Sequence, residues 1–281
     1  MTRAALRLGA ALLLLAVAAP SAAGPSSAPV PAPQGRTGLV RPSYEPPKNP
    51  AHQALYDHFR QKKLLETFAE VLGSIRLPRE LGLRFAGCDG ESNAWFDADE
   101  HRITFCYEFL AEIDQAAEGG AKVGVSREDA LDGAVVFVLL HESGHAIFHY
   151  LKVPILGREE DAADHFAGYF LLRAGKTVAR RALSGAAWMY KHDSGARKVD
   201  ESDFADVHGL DAQRLYNVLC MAYGFDPEFY AGLVGKGYLP EERAKECRSE
   251  FEQVGFAMKR LISPSLDPAE LKRVHAARKK R

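Results

Sequence analysis

Five residues near the middle of the chain, His141-Glu142-Ser143-Gly144-His145, place two imidazoles four positions apart with a carboxylate between them. On a helix, such residues share one face, so both rings can converge on one metal ion. Zinc accepts imidazole nitrogen at ~2.0–2.1 Å and keeps one position for water in a catalytic site. Glu142 could take a proton from that water and pass it to a leaving amine. The motif predicts metal-assisted hydrolysis, and two buried structural histidines are the alternative.

A third ligand is expected from the next predicted helix, which opens with the acidic run Glu159-Glu160-Asp161. Glu160 has Asp164 one turn later, so one carboxylate can bind metal while the other accepts the N–H of a ligating imidazole. Glu159 has an alanine at that spacing and lacks such a partner. Asp161 has His165 one turn later, which is the weaker alternative. The spacing therefore favours Glu160 as the ligand, although an acidic helix start also suits the helix dipole.

Two predicted helices must hold these residues. The first begins after Ser126, whose hydroxyl can cap it, and runs through the apolar stretch Ala134–Leu140 into the histidine motif. The second spans Arg158–Ala174. Small residues on both helices would let them approach closely enough to share one ion: Gly144, Ala146, Ala163, Ala167 and Gly168.

The rest of the chain indicates an α+β fold with a small antiparallel or mixed sheet and a helical C-terminal part. One amphipathic helix is predicted over 51–74, and short β-prone runs cover 83–86, 93–96 and 102–107. A polar turn between the last two runs predicts a hairpin. We expect the active-site cleft to lie between the edge of this sheet and the helical C-terminal part.

The first 23 residues match a secretory signal peptide, with two arginines, an apolar run and small residues at a cleavage point. The apolar run is too short to span a bilayer, so no stable membrane insertion is expected after cleavage. Residues 24–50 are rich in Pro, Ser and Ala and predict an extended linker. We expect one folded domain over 51–268 and a basic tail over 269–281, in a secreted or periplasmic protein.

The overall charge argues against polyanionic partners. The 281 residues carry 36 Lys and Arg against 37 Asp and Glu, a formal net charge of −1. Nucleic-acid binding needs clustered positive charge, so we expect no nucleic-acid partner.

Four cysteines, Cys88, Cys106, Cys220 and Cys247, suit two disulfides in an oxidising compartment. Three connectivities are possible. We favour Cys88–Cys106 and Cys220–Cys247, because each pair brackets a short stretch of chain. A four-cysteine zinc site is disfavoured because no Cys-x-x-Cys spacing occurs.

The motif His-Glu-x-x-His followed by Glu-x-x-x-Asp resembles the gluzincin clan of zinc metallopeptidases, and Ala163–Ala167 is similar to its integral-membrane and Oma-type members. Three further features most resemble a family of exported bacterial proteins described only as "putative metallopeptidases", over about residues 50–260. They are Asn93-Ala94-Trp95-Phe96, Cys106-Tyr107-Glu108 and His208…Gln213-Arg214…Cys220.

This resemblance implies that residues 51–268 form a zincin-like metallopeptidase domain, and it implies further site residues. Asn93-Ala94-Trp95 resembles the edge strand of thermolysin, which implies that a substrate peptide lies antiparallel beside it. Gluzincins need a donor for the oxyanion, and His208 is the candidate, oriented by Asp203 or Asp206. Arg214 could clamp the substrate or form a structural ion pair.

Three function classes follow. The first is an exported metallopeptidase with one Zn²⁺ ion and a peptide or protein substrate. The second is a zinc amidase acting on cell-wall peptides with the same ligands. The third is a non-catalytic interaction module stabilised by metal. Structural zinc sites usually have four protein ligands, so three ligands plus a base favour catalysis.

Overall fold

The fold is organised around one long apolar helix that carries the histidine motif. A computed structural model describes residues 35–196 and 198–278, all within one compact unit. The predicted signal peptide, the first part of the predicted linker and the last three residues lie outside the described residues.

The described residues form a four-stranded sheet and helices on one side of it. The strands are β1 Val40–Tyr44, β2 Leu81–Ala86, β3 Ala94–Asp97 and β4 Arg102–Cys106. The helices are α1 Gln53–Gln61, α2 Leu64–Leu72, α3 Tyr107–Ala117, α4 Arg127–Leu151, α5 Glu159–Arg173, α6 Lys176–Asp193, α7 Glu201–Ala205, α8 Asp211–Phe225, α9 Gly232–Gly235, α10 Glu241–Leu261 and α11 Pro268–Arg278. This is the predicted α+β class with a helical C-terminal part.

The sheet has the strand order β1-β2-β4-β3, with parallel pairing of β1 to β2 and β2 to β4. The predicted hairpin is confirmed, because β3 pairs antiparallel with β4. Alternate residues such as Leu83, Phe85 and Phe105 are fully buried and face the helices. The sheet is therefore mixed, and β3 forms one of its edges beside α4.

α4 lies at the centre of the core, and its predicted start is confirmed. The Ser126 hydroxyl accepts a hydrogen bond from the backbone N–H of Asp129 at 3.0 Å. The helix packs on the sheet and on α3, α5 and α6. It is long and apolar enough to cross a membrane, yet 83% of its most apolar window is buried inside the protein, as expected of a core helix.

Three parts of the described chain differ from the sequence prediction. Residues 40–44 of the predicted linker form β1, because Val40 is buried and the strand completes a hydrogen-bonded ladder with β2. The single helix predicted over 51–74 is two helices, α1 and α2, separated where Lys63 adopts a left-handed conformation with φ 51°. The predicted tail begins as helix α11, which buries Val274.

Both predicted disulfides are present, and the described residues contain no free cysteine. Cys88–Cys106 joins the segment after β2 to the end of β4, and Cys220–Cys247 joins α8 to α10. Such bonds persist in oxidising surroundings, so the two pairs indicate an extracytoplasmic environment.

Candidate functional site

α4 and α5 approach closely where the histidine motif lies. Gly144 faces Ala163, and a Cβ built on Gly144 would lie 3.2 Å from the Ala163 Cα. The prediction that small residues allow close approach is therefore confirmed at this pair. Gly168 instead faces Met221 of α8.

This approach brings three potential ligand atoms together. His141 Nε2 lies 3.0 Å from Glu160 Oε2 and 3.2 Å from His145 Nε2, and His145 Nε2 lies 3.4 Å from the same Glu160 oxygen. All three residues are buried or half-buried, and the group could hold a metal ion. Lone pairs and a carboxylate oxygen at this separation repel one another unless a proton or cation lies among them.

A carboxylate fixes the orientation of each imidazole from behind. Asp164 Oδ1 accepts a hydrogen bond from His141 Nδ1 at 2.8 Å, and Glu159 Oε1 accepts one from His145 Nδ1 at 2.9 Å. Because a carboxylate only accepts, each Nδ1 carries the hydrogen and each Nε2 is left to face Glu160. Metal-binding histidines commonly have such partners.

Asp164 is itself held by two other helices. Its side chain is 4% exposed, and Arg214 of α8 donates to it through Nε and Nη2, both at 2.8 Å. The Tyr190 hydroxyl of α6 donates to Asp164 Oδ1 at 3.1 Å. Burial alone would raise the pKa of Asp164, but the bonds from Arg214 and His141 hold it below its usual range.

The centre as a whole favours positive charge. Burial alone would lower the pKa of His145, but hydrogen bonds to Glu160 and Glu159 raise it to about 9. Burial would raise the pKa of Glu160, yet bonds from His141, His145 and His208 hold it far below its usual range. A bound cation would satisfy the same carboxylates.

Glu142 lies beside this group and faces a cleft of about 490 Å³. It is 7% exposed, and burial raises its pKa, while the nearby His141 and His145 oppose that rise. The cleft is also lined by His145, Glu160 and β3. The cleft therefore lies at the edge of the sheet, where the sequence analysis predicted it.

The open edge of β3 faces the cleft. The Cys106 N–H donates to the Asn93 carbonyl at 3.0 Å, which makes that pair hydrogen-bonded. Because such pairs alternate along an antiparallel ladder, the backbone groups of Ala94 and Phe96 point away from β4. Asn93, Ala94 and Trp95 all line the cleft, and Phe96 N–H helps to lower the pKa of Glu142.

His208 reaches the cleft from the segment between α7 and α8. Its Nε2 lies 3.1 Å from Glu160 Oε2, and its Nδ1 donates to Asp206 Oδ1 at 2.9 Å. Asp206 rather than Asp203 therefore orients the ring, since Asp203 accepts from the backbone of Asp200 at the start of α7. The hydrogen bond to Glu160 raises the pKa of His208, and burial opposes it.

Three sequence interpretations change. Arg214 does not line the cleft and is engaged with Asp164, so its predicted substrate contact is replaced by the ion-pair alternative. The weaker ligand pair Asp161 and His165 lies outside the three-residue group. Sequence reasoning missed Glu159 as the partner of His145, although its position next to Glu160 was the available signal.

Comparison with family models matches residues 44–262 to a family described as "Putative metallopeptidase". No curated protein and no solved structure matches the chain. The matched range includes the histidine motif, Glu160, His208 and both disulfides. The chain therefore belongs to this family of putative metallopeptidases.

Proposed function

We propose that this chain is an exported zinc-dependent peptidase in which His141, His145 and Glu160 bind one Zn²⁺ and Glu142 is the general base. The observation that carries the proposal is the spacing of 3.0–3.4 Å among the three donor atoms. Tetrahedral ligands at zinc distances of ~2.0–2.1 Å are separated by about 3.3 Å. The two imidazoles and one carboxylate thus fit zinc and leave a fourth position for solvent.

The chain's own groups supply the remaining chemistry. When bound, zinc lowers the pKa of water and polarises a carbonyl group. Glu142 takes the proton from the attacking water and delivers it to the leaving amine nitrogen. His208 donates from Nε2 to the oxyanion, which requires it to turn from Glu160 towards the substrate. Asp164 and Glu159 keep both imidazoles oriented throughout.

The substrate is a peptide or protein segment in an extended conformation. It adds to the open edge of β3, where the Ala94 and Phe96 carbonyls can accept hydrogen bonds from the substrate backbone. The Ala94 N–H donates to Asn93 Oδ1 at 2.8 Å and the Phe96 N–H bonds Glu142, so each would have to leave its partner to bind substrate. An antiparallel orientation pairs its backbone with these groups and places the scissile carbonyl beside Glu142. Asn93 lies at the start of this edge, beside the C-terminal part of the substrate, and its amide bonds Glu91 and the Ala94 N–H.

Export is part of the proposal. Residues 1–23 serve as the signal peptide, which is removed, and the domain acts outside the cytoplasm. The two disulfides support this location, because reducing cytoplasm does not preserve them.

The Glu142→Gln variant tests the base directly. We expect peptide hydrolysis to fall by about 10²–10⁴-fold, while metal content and melting temperature stay close to wild type. Glu128→Gln, on the exposed start of the same helix, is the matched control and should retain activity. Full activity in Glu142→Gln would refute the general-base role. Cleavage of cell-wall fragments alone would favour the amidase alternative.

Metal content tests the ligand set. Glu160→Ala should lose the ion, whereas Asp161→Ala on the same helix turn should keep one equivalent. Metal analysis of the purified variants distinguishes them. If Glu160→Ala kept the metal ion and Asp161→Ala lost it, the assignment of Glu160 as the third ligand would be wrong.

A further inference from the structure

The cleft has two chemically different ends. The end that contains Glu142, Glu159 and Glu160 is ionisable and surrounds the ligand group. The other end is lined by Phe96, Phe148 and other uncharged residues, together with the imidazole of His149. Glu142 is the carboxylate next to this end, because the Phe96 N–H bonds it, and the described lining of the cleft contains no Asp, Lys or Arg.

The floor and one wall of the apolar end are produced by the C-terminus of α4. Lys152 adopts a left-handed conformation with φ 51° and donates its N–H to the His149 carbonyl, while Val153 N–H donates to the Phe148 carbonyl at 3.0 Å. This is the Schellman arrangement, in which the residue after the left-handed position packs on the helix. Phe148 and Val153, which follow His145 by three and eight positions, are thereby held together.

The opposite wall comes from the end of β3. The Phe96 ring lies 5.6 Å from the His149 ring and 5.9 Å from the Tyr150 ring. Ala98, directly after β3, leaves space beside it. Phe148 is 5% exposed and packs on Phe166 of α5, so its position does not depend on the ligand. The result is a preformed recess between a helix end and a strand end.

The position of this recess relates it to one side of the scissile bond. β3 runs from Ala94 towards Asp97, and Phe96 and Ala98 lie at its C-terminal end. An antiparallel peptide has its N-terminal part at that end of the strand. The recess therefore meets the residue that precedes the cleaved bond, whereas Asn93 meets the residues that follow it.

We propose that Phe96, Phe148 and Val153 form a specificity recess that selects an uncharged apolar side chain on the N-terminal side of the cleaved bond. The inference rests on the peptidase function proposed above. It identifies the substrate class as extended peptides with a residue such as Leu or Phe at that position. An acidic side chain would lose its hydration there and be repelled by Glu142, and a basic side chain would lose its hydration inside the apolar recess.

The test uses the zinc-loaded protein and peptides that differ only in the residue before the cleaved bond: Ala, Leu, Phe, Asp or Lys. Burial of a large apolar side chain corresponds to roughly tenfold or more in kcat/KM over Asp and Lys. Val153→Phe fills the recess and should reduce cleavage of the Leu and Phe peptides by about tenfold, with a smaller effect on the Ala peptide. Val153→Ala enlarges the recess and should raise kcat/KM for the Phe peptide relative to the Leu peptide.

Leu156→Phe is the matched control. It lies in the same loop, is fully exposed and does not line the cleft, so the preference should not change. The proposed role of the recess would be refuted if wild type selected only the residue after the cleaved bond. It would also be refuted if Val153→Phe cleaved the five peptides with the same relative kcat/KM as wild type. Either result would leave the peptidase proposal intact. If zinc-loaded wild type cleaved none of the peptides or a randomised library, the peptidase proposal itself would fail.

Discussion

Replacing Arg214 by Met removes the cation from a buried ion pair and leaves the Asp164 carboxylate behind. The two side chains are 13% and 4% exposed and joined by two hydrogen bonds of 2.8 Å. Removing one partner of such a pair costs about 3–5 kcal/mol, because the Asp164 charge stays buried with only His141 and Tyr190 as hydrogen-bond donors. For a domain of this size, that loss lowers the melting temperature by roughly 6–20 °C.

The matched control is Arg243→Met. Arg243 also makes two hydrogen bonds to one carboxylate, that of Glu250, each 2.7 Å, but these side chains are 27% and 38% exposed. A solvent-accessible pair contributes about 0.2–1 kcal/mol. The comparison therefore tests the effect of burial on an arginine–carboxylate pair with two hydrogen bonds. The pairs differ in that Arg214 uses Nε and Nη2 to an aspartate, whereas Arg243 uses Nη1 and Nη2 to a glutamate.

The assay is urea unfolding of the metal-free proteins, so that metal binding does not contribute to the measured free energy. Asp164→Asn in the Arg214→Met background should recover part of the lost stability, because the uncompensated charge disappears with it. If Arg214→Met lost less than about 1 kcal/mol, as expected for an exposed pair, the assignment of Arg214 to a buried structural ion pair would be refuted.

Two further predictions concern the helix contact and a carboxylate outside the centre. Gly144→Ala should weaken zinc affinity by roughly tenfold in chelator competition, because its Cβ would lie 3.2 Å from the Ala163 Cα. The control Gly168→Ala, whose Cβ would have its nearest atoms at 3.8–3.9 Å, should bind zinc with wild-type affinity. Equal zinc affinities of the two variants would contradict the close-approach argument. Burial would raise the pKa of Glu108, but backbone N–H groups, including those of Cys88 and Gly90, hold it below its usual value. Its charged form therefore stabilises the fold above the unfolded pKa, and this contribution is lost as pH falls through the lower folded pKa. Relative to Glu108→Gln, wild type should be about 1 kcal/mol more stable at neutral pH and lose that advantage in acid, measured by urea unfolding between pH 7 and pH 3; a constant difference would refute it.

Local patterns predicted much of the candidate centre. The i, i+4 spacing of His141 and His145, and of Glu160 and Asp164, sets which residues share a helix face whatever the rest of the fold does. The same reasoning predicted that Asp164 would accept the N–H of a ligating imidazole, and it lies 2.8 Å from His141 Nδ1. The hairpin and the two cysteine pairings also followed from short stretches of chain.

Longer-range features were not predictable in the same way. β1 has only Val40 buried at its start, so its strand conformation depends on the ladder that β2 supplies. The break at Lys63 interrupts an otherwise continuous helical pattern, and the apolar spacing on either side carries no signal for it. The recess beyond His145 likewise needs a helix end and a strand end to meet.

The sequence by itself determined the donor types and their helix faces and predicted oxidising surroundings, because these depend on residue chemistry and on spacings of a few positions. Only the tertiary structure decided that Arg214 neutralises Asp164 and that Glu159 supports His145. Those pairings join side chains 50 and 14 positions apart. By charge alone, several acidic residues could have paired with Arg214 or with His145. The packing of α4, α5 and α8 determines which acid lies within hydrogen-bond distance of each.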